Sequence, residues 1–516
     1  MSSPPARAWL LVALGALALA GSYPPFPLPV LSFVAVVPAV LLLQDTAADP
    51  RRAYRWGFRY GMVANGLVLY WMVFALWHFT PFAALGYLLT VFFLGVFTGG
   101  LFSFVTRVRI AYPRIPLAAV FPIAWTALEW GVGHLGDVAF PWLGLGTSLA
   151  DAPVLVQWAD LAGARGITFW TVWCNVVIAG TAGLWGQWRP LGKRLAPVIV
   201  TLVLATGYGV WRQRSITLRE VGPITLVQPN IGFSEKWIPE RADSEVATLL
   251  DLSRRATADA KSPPRLVIWP EAALPYFLTL RPNWQSAIGR FAVEERTYVL
   301  TGGVHFTYRE GGGSNTFNAA FLFDSSGQWQ PYPVYEKHYL VPVVERVPFV
   351  PVSWFRALPG LSRWSGGFGR GRDLPLYATP VGRAGVVVCY ESAFEDLSRR
   401  YRRGGADFLV NVTNDAWFGR TAAPHQHASH LILRAIETRM GVARAANDGI
   451  SEFIDPLGRV TQPSRLQTQT VVTGTLRTSD VMPPYVRWGD WVGRLAVLLT
   501  LGFAGGLLVR KWNRRA

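Results

Sequence analysis

The chain has 516 residues, 51% of them hydrophobic, with 23 Trp, 29 Phe and a formal net charge of +17. Such apolarity predicts a membrane protein rather than an ordinary soluble domain. The two cysteines lie far apart, Cys174 within an apolar run, which excludes a disulfide framework. Many basic residues sit in short loops between apolar runs rather than on one face beside base-stacking aromatics, which argues against a nucleic-acid partner.

A helix needs roughly 20 apolar residues to cross about 30 Å of hydrocarbon. In chain order the candidates are Trp9–Ser22, Pro27–Leu43, Gly57–Trp77, Phe82–Val105, Leu117–Gly133, Ile167–Leu184, Leu195–Val210 and, after a long gap, Val492–Val509. The expectation is about eight spans. The first, "ARAWLLVALGALALAGS", also has the makeup of a cleavable signal peptide. Its short, charge-free sequel "YPPFPLP" reads instead as a hairpin into the second span.

Arg51, Arg52, Arg55 and Arg59 follow the second span; Arg107, Arg109 and Arg114 the fourth; Arg189, Lys193 and Arg194 the sixth; Arg510, Lys511, Arg514 and Arg515 the last. The alternate connections are nearly uncharged ("HFTP") or carry Asp137, Asp151 and Asp160. By the positive-inside rule both termini are cytoplasmic and the long segment before the last span lies on the outer side.

That segment, 221–481, changes character. Short β-rich runs ("ITLVQ", "RLVIW", "TYVLTGGV", "NAAFLF", "GVVVCY", "DFLVNV") alternate with polar helical stretches, which predicts one α/β domain with a covered sheet. The organisation read here is 1–215, a helical transmembrane domain of about seven spans; 221–481, the α/β domain; and 488–516, a final span with a basic cytoplasmic tail. The glycine-dense loop "LPGLSRWSGGFGRGRDLP", with Trp364 and Phe368, reads as a mobile lid or an irregular connection.

Three runs end in chemistry: "LVIWPEAALPY" delivers Glu271, "YPVYEKHYLVP" Lys337 and "VVVCYES" Cys389. Strand ends are where open α/β sheets place ligand sites. Taken singly, each residue is as readily a solvated glutamate, a surface lysine or a small core thiol. Together they are complementary. A carboxylate takes the thiol proton as sulfur attacks a carbonyl, an ammonium stabilises the oxyanion, and the Tyr390 amide at a strand-to-helix turn adds a donor. The product is a thioester acyl-enzyme.

The strings "WPEAALP", "YEKHYLVP…VERVPF", "GVVVCYESAF" and "NVTNDAWFG…PHQHASHLILRAIETR" resemble the Glu–Lys–Cys blocks of the nitrilase, or carbon–nitrogen hydrolase, superfamily. Such a domain inserted before a final span, after about seven earlier ones, resembles the bacterial apolipoprotein N-acyltransferases. The resemblance implies an α-β-β-α sandwich, with Glu271 as general base, Lys337 as stabilising cation and Cys389 as nucleophile. It further implies supporting roles for Glu345, Tyr390, Glu391 and Trp237. The implied reaction needs no cofactor or metal. An acyl chain passes from a membrane phospholipid, typically phosphatidylethanolamine, through the cysteine to the N-terminal amine of a diacylglyceryl-cysteine apolipoprotein. The implied setting is the bacterial inner membrane, with the catalytic domain facing the periplasm and one chain, a monomer, holding every catalytic group.

Two other readings stay open: a membrane-tethered amidase that passes the acyl group to water, and a multispan scaffold with an inactive hydrolase-like domain. His425, His427 and His430 are read as structural residues near the site rim rather than zinc ligands, because no local carboxylate or thiol completes a set. Asn414, Asp415 and Trp417 are read as pocket wall. Glu129, ionisable within a span, reads either as an interfacial residue or as a packing one.

Overall fold

The computed structural model describes residues 5–26, 28–77, 83–184, 186–259, 263–308, 314–329, 332–349 and 367–513. It divides into two compact units, one formed by 1–135, 139–215 and 488–516, the other by 136–138 and 216–487. The first half of the glycine-dense loop read as a lid, 358–366, lies outside the described residues, as do 350–357 before it.

Among the described residues of the first unit, five helices are long and apolar enough to cross a membrane: Pro5–Ser22, Ala83–Ala111, Ala159–Ala179, Trp188–Ser215 and Trp491–Asn513. Two shorter apolar segments, Pro29–Gln44 and Leu117–Gly133, accompany them. The protein is membrane-integral. Several boundaries differ from those read in the sequence. The expected span Gly57–Trp77 is a helix Pro50–Val68 followed by a separate short one, Met72–Trp77. The longer helix starts early because Asp49 caps it, accepting from the amides of Arg51 (2.8 Å) and Arg52 (3.2 Å) with Pro50 following. The second expected span splits into a 3₁₀ turn, Pro29–Phe33, and a helix, Val37–Gln44. Pro38 lacks the amide that a continuous helix would use across the break.

Helices Pro50–Val68 and Ala83–Ala111 approach closely because small residues face each other. A Cβ built on Gly61 would lie 2.6 Å from Thr98. Glu129 takes the packing role. Its carboxylate accepts from Trp125 Nε1 (2.8 Å), Leu145 N (3.0 Å) and Thr168 Oγ1 (2.9 Å), and pairs with Arg165 at 3.0 Å.

The second unit holds two sheets. Its strands are β1 (Arg219–Gln228), β2 (Leu266–Ile268), β3 (Leu274–Phe277), β4 (Tyr298–Tyr308), β5 (Ser314–Phe323), β6 (Tyr335–Glu336), β7 (Leu376–Thr379), β8 (Gly382–Val388), β9 (Phe408–Thr413), β10 (Gly441–Ala446), β11 (Glu452–Ile454), β12 (Val460–Thr461) and β13 (Thr470–Thr478). One sheet runs β13-β1-β2-β4-β5-β6, with β3 on β4; the other runs β12-β11-β10-β9-β8-β7. Helices Ala242–Asp259 and Pro282–Glu294 cover the first sheet; Glu395–Arg403 and Ala423–Thr438 cover the second. β1 and β13 face β10 and β11, so the layers run helix, sheet, sheet, helix.

The pattern follows from the residues. β1, β2 and β4 pair in parallel, as do β8, β9 and β10. Parallel strands covered on both faces must be apolar throughout. Val386, Val387 and Val388 accordingly have no exposed surface, each burial worth about 1.5–3 kcal/mol before ordering costs. The strand ends at Val388 because the next residues turn into a 3₁₀ segment, Cys389–Ala393. Cys389 itself takes φ +50°, a left-handed conformation unusual for a non-glycine residue and a strained way to present a side chain at a strand end.

Candidate active site

The loops that follow β1, β2, β6, β8, β9 and β10 carry the residues of one buried cluster. Glu271 lies three residues after β2, Lys337 immediately after β6, Cys389 immediately after β8, Asn414 after β9 and Asn447 after β10. Strand C-termini converge there because parallel pairing points them the same way.

Glu271 is held at both oxygens. Oε1 accepts from Asn318 Nδ2 at 2.7 Å and from Lys337 Nζ at 3.4 Å, while Oε2 accepts from the Asn414 amide at 2.9 Å. Lys337, wholly buried, lies closer to Glu345, donating to Oε1 at 2.9 Å. The Glu345 carboxylate also accepts from Asn318 Nδ2 (2.9 Å) and the Val341 amide (2.8 Å). One ammonium thus bridges two carboxylates. Burial alone would lower the Lys337 pKa, but Glu345 and Glu271 outweigh it and hold the group protonated.

The Cys389 thiol is raised well above its ordinary value, first by burial and then by the charge of Glu271; Lys337 opposes this only in part. Cys389 therefore rests as a thiol and not a thiolate, and for its sulfur to attack a carbonyl a base would have to take the proton. Glu271 is the carboxylate whose charge acts most strongly on it.

Glu391 ties the lysine segment to the cysteine turn. Its Oε2 accepts from Tyr335 Oη (2.6 Å) and the Val388 amide (2.7 Å), and its Oε1 from the amides of His338 (2.6 Å) and Tyr339 (3.1 Å). Tyr390 is buried, its ring edge-on to Phe394 with centroids 5.2 Å apart. Trp237 is 45% exposed, and its carbonyl accepts from Tyr276 Oη at 3.2 Å.

The chain matches the carbon-nitrogen hydrolase family over residues 224–483 and the apolipoprotein N-acyltransferase N-terminal domain over 15–177. It is 33% identical to the apolipoprotein N-acyltransferase of Geobacter metallireducens, covering 97% of this chain and 96% of that one. The enzymes of the same description from Chlorobaculum tepidum and Brucella melitensis are each 30% identical, covering 97% and 95% of this chain and 96% and 94% of theirs. The chain belongs to the apolipoprotein N-acyltransferase family.

As a member of that family it is an acyltransferase built on a carbon–nitrogen hydrolase domain. Asn318, the donor shared by both carboxylates, and Lys236, whose Nζ donates to the Glu271 carbonyl at 2.9 Å, are site residues that the sequence reading missed. Asn318 lies inside the β-run "TFNAAFLF", and its burial among apolar residues in a strand was the available signal. Lys236 stands beside Trp237, and nothing local distinguishes it from a surface lysine.

Asp415 and His427 belong to a neighbouring buried network. Asp415 Oδ1 meets His427 Nδ1 at 2.9 Å, its Oδ2 accepts from Arg444 Nη2 at 2.8 Å, and Arg444 Nη1 donates to Asn411 Oδ1 at 2.6 Å. Among the described residues no group of three or more His, Cys, Asp or Glu is placed to hold a metal ion.

Proposed function

We propose that the chain moves a fatty acyl group from a membrane phospholipid, phosphatidylethanolamine being the expected donor, to the N-terminal amine of a diacylglyceryl-cysteine apolipoprotein, through a thioester on Cys389. The observation that carries this reading is the Lys337 ammonium bridging Glu271 and Glu345 beside a buried, protonated thiol.

Glu271 takes the thiol proton as sulfur attacks the ester carbonyl. The oxyanion forms against the Lys337 ammonium and the Tyr390 amide. As the ester C–O bond breaks, the protonated Glu271 returns its proton to the leaving alkoxide and lysophospholipid departs. The acceptor amine then attacks the thioester, Glu271 takes its proton, and the thiol is regenerated. No step consumes a cofactor.

The finer organisation belongs to the same proposal: about eight spans, boundaries at 1–215, 221–481 and 488–516, the catalytic unit on the periplasmic side of the inner membrane, and action as a monomer. Arg51, Arg52, Arg55 and Arg59 in the N-terminal half of helix Pro50–Val68, with Arg107, Arg109 and Arg114 at and just past the C-terminal end of helix Ala83–Ala111, support the orientation through their positions beside the apolar runs. Leaving both substrates' acyl chains in lipid avoids a desorption cost of about 0.8 kcal/mol per CH₂. Relatives described as apolipoprotein N-acyltransferases, matched along nearly their whole length, support an amine acceptor over water and an active enzyme over a scaffold.

The test is covalent labelling. Purified protein in detergent is given phospholipid with a labelled acyl chain, and label released by neutral hydroxylamine is followed in the parent and in Cys389→Ala. Label on the parent alone, chased onto a diacylated lipopeptide with a free N-terminal amine, is the expected result. Label lost only to water would establish a hydrolase, and equal labelling of the alanine variant would place the acyl group elsewhere.

A further inference from the structure

Lys236 is 1% exposed, and its one side-chain hydrogen bond among the described residues runs from Nζ to the backbone carbonyl of Glu271, at 2.9 Å. A buried ammonium is expensive to maintain, and an apolar side chain of similar length is often tolerated as well or better for stability alone. The chain nevertheless places this cation directly behind the residue proposed as general base.

The surroundings supply its counter-charges. Glu245, from helix Ala242–Asp259, and Asp448, from the turn after β10, act on Lys236 together with Glu271. Both Glu245 carboxylate oxygens and Asp448 Oδ1 are buried without a hydrogen-bond partner among the described residues. Farther out, Glu235 and Arg241 act on Glu245, and Asp415 acts on Asp448. Burial pushes the Lys236 pKa down to about 8, and the charges of Glu271, Glu245 and Asp448 keep it from falling further; burial in turn raises Glu245 and Asp448 to about 7. At neutral pH the ammonium therefore stays protonated, with its donors not taken up by these carboxylates.

What the cation holds is mechanically sensitive. Glu271 precedes Ala272, whose φ of +48° makes a strained turn after β2, and behind it stands Gly302, where a Cβ would lie 2.7 Å from the Glu271 Cα. The loop carrying Lys236 is fixed from the other side. Asn447 Oδ1 accepts from the Ile231 amide at 3.2 Å, and Asn447 Nδ2 donates to the Ile231 carbonyl (2.7 Å) and to Asn414 Oδ1 (3.0 Å). Asn414 is the residue whose amide holds Glu271 Oε2. The next residue after Lys236 is the half-exposed Trp237.

We propose that Lys236 is a positioning residue for acyl transfer: its buried ammonium clamps the main chain of Glu271 to the loop that presents Trp237, setting the base and the exposed indole relative to one another. The inference rests on the reading of Glu271 as the base. Lys236 touches neither substrate nor thiol in this role. It fixes where the carboxylate stands and adds positive charge beside it.

The test compares Lys236→Met, Lys236→Arg, Glu271→Gln and Trp237→Ala, with the double variant of Lys236→Met and Trp237→Ala. Single-turnover formation of hydroxylamine-sensitive acyl-enzyme is followed from pH 5 to 9, with thermal melting in the same detergent. Lys236→Met is expected to slow acylation about 10- to 100-fold, the effect of losing a charged hydrogen bond, with little change in melting. Loss of positive charge beside a base that must be ionised moves the acid limb of the rate profile to higher pH. Lys236→Arg keeps the charge and recovers most of the rate. The double variant loses less than the product of the single losses, because both act through one loop.

Acylation by Lys236→Met within twofold of the parent, with an unmoved acid limb and an inactive Glu271→Gln, would overturn the inference and leave the base assignment intact. Loss of rate only in proportion to loss of folded protein would also overturn it, by showing a merely structural lysine. An active Glu271→Gln would instead overturn the reading on which the inference rests.

Discussion

Asn318 donates through a single Nδ2 to Glu271 at 2.7 Å and to Glu345 at 2.9 Å, joining two carboxylates that would otherwise repel. Lys337 neutralises the same pair from another direction. Replacing Asn318 by Asp would put a third carboxylate where a donor now stands. Asn318→Asp is expected to slow thioester formation about 100-fold or more and Asn318→Ala about 10- to 100-fold, the range for losing hydrogen bonds to charged groups. Single-turnover labelling with phospholipid checks both, and a parental rate for Asn318→Asp would show that the pair needs no donor there.

Glu391 accepts four hydrogen bonds that bring the segment after Lys337 and the turn at Cys389 to one carboxylate. A carboxamide of the same shape must turn an NH₂ toward one set of donors. Glu391→Gln should therefore lower acylation about 10- to 100-fold and also reduce the melting temperature, since buried donors are left unpaired. A drop in rate with unchanged melting would mean that Glu391 acts on the chemistry and not through this bracket.

The buried thiol makes a prediction about alkylation. With its pKa held well above the ordinary range, Cys389 carries little thiolate at neutral pH. Iodoacetamide should modify it at least about tenfold more slowly at pH 7.5 than a free thiol, with the rate rising about tenfold per pH unit into the alkaline range. The site is read by mass spectrometry of the Cys389 peptide. A rate independent of pH above 7 would show a preformed thiolate, and the base would then have no proton to take.

Asp415, buried against His427 and Arg444, is held below the ordinary carboxylate range: burial pushes it up, but the charges of His427 and Arg444 outweigh burial. A carboxyl depressed in the folded state contributes stability that is fully present above the unfolded value of about 4 and lost as pH falls through the folded one. Asp415→Asn should cost about 3–5 kcal/mol near neutral pH, because Arg444 keeps its charge without a counter-ion. Its deficit should shrink as the pH falls below 4, and melting curves at pH 7 and pH 3 measure the difference.

The sequence by itself determined the alternation of apolar runs and basic segments, the change to short strands near residue 220, and the delivery of Glu271 and Cys389 at strand ends. These are local patterns of hydrophobicity and charge, legible wherever neighbours in sequence share one environment. It did not determine that the helix entering the run Gly57–Trp77 would start as early as Pro50, because that depended on the Asp49 cap outside the apolar window, nor that the run would break into two helices. Only the tertiary structure decided that Asn318, Lys337 and Glu345 would enclose Glu271, that Glu391 would bracket two segments, and that Lys236 would lie behind Glu271. Those contacts join residues from 3 to 66 positions apart, most of them across loops brought together by parallel strand ends. A buried hydrogen bond between such loops leaves no periodic trace in the chain, since its partners are selected by where the sheets place them rather than by what stands beside them in sequence.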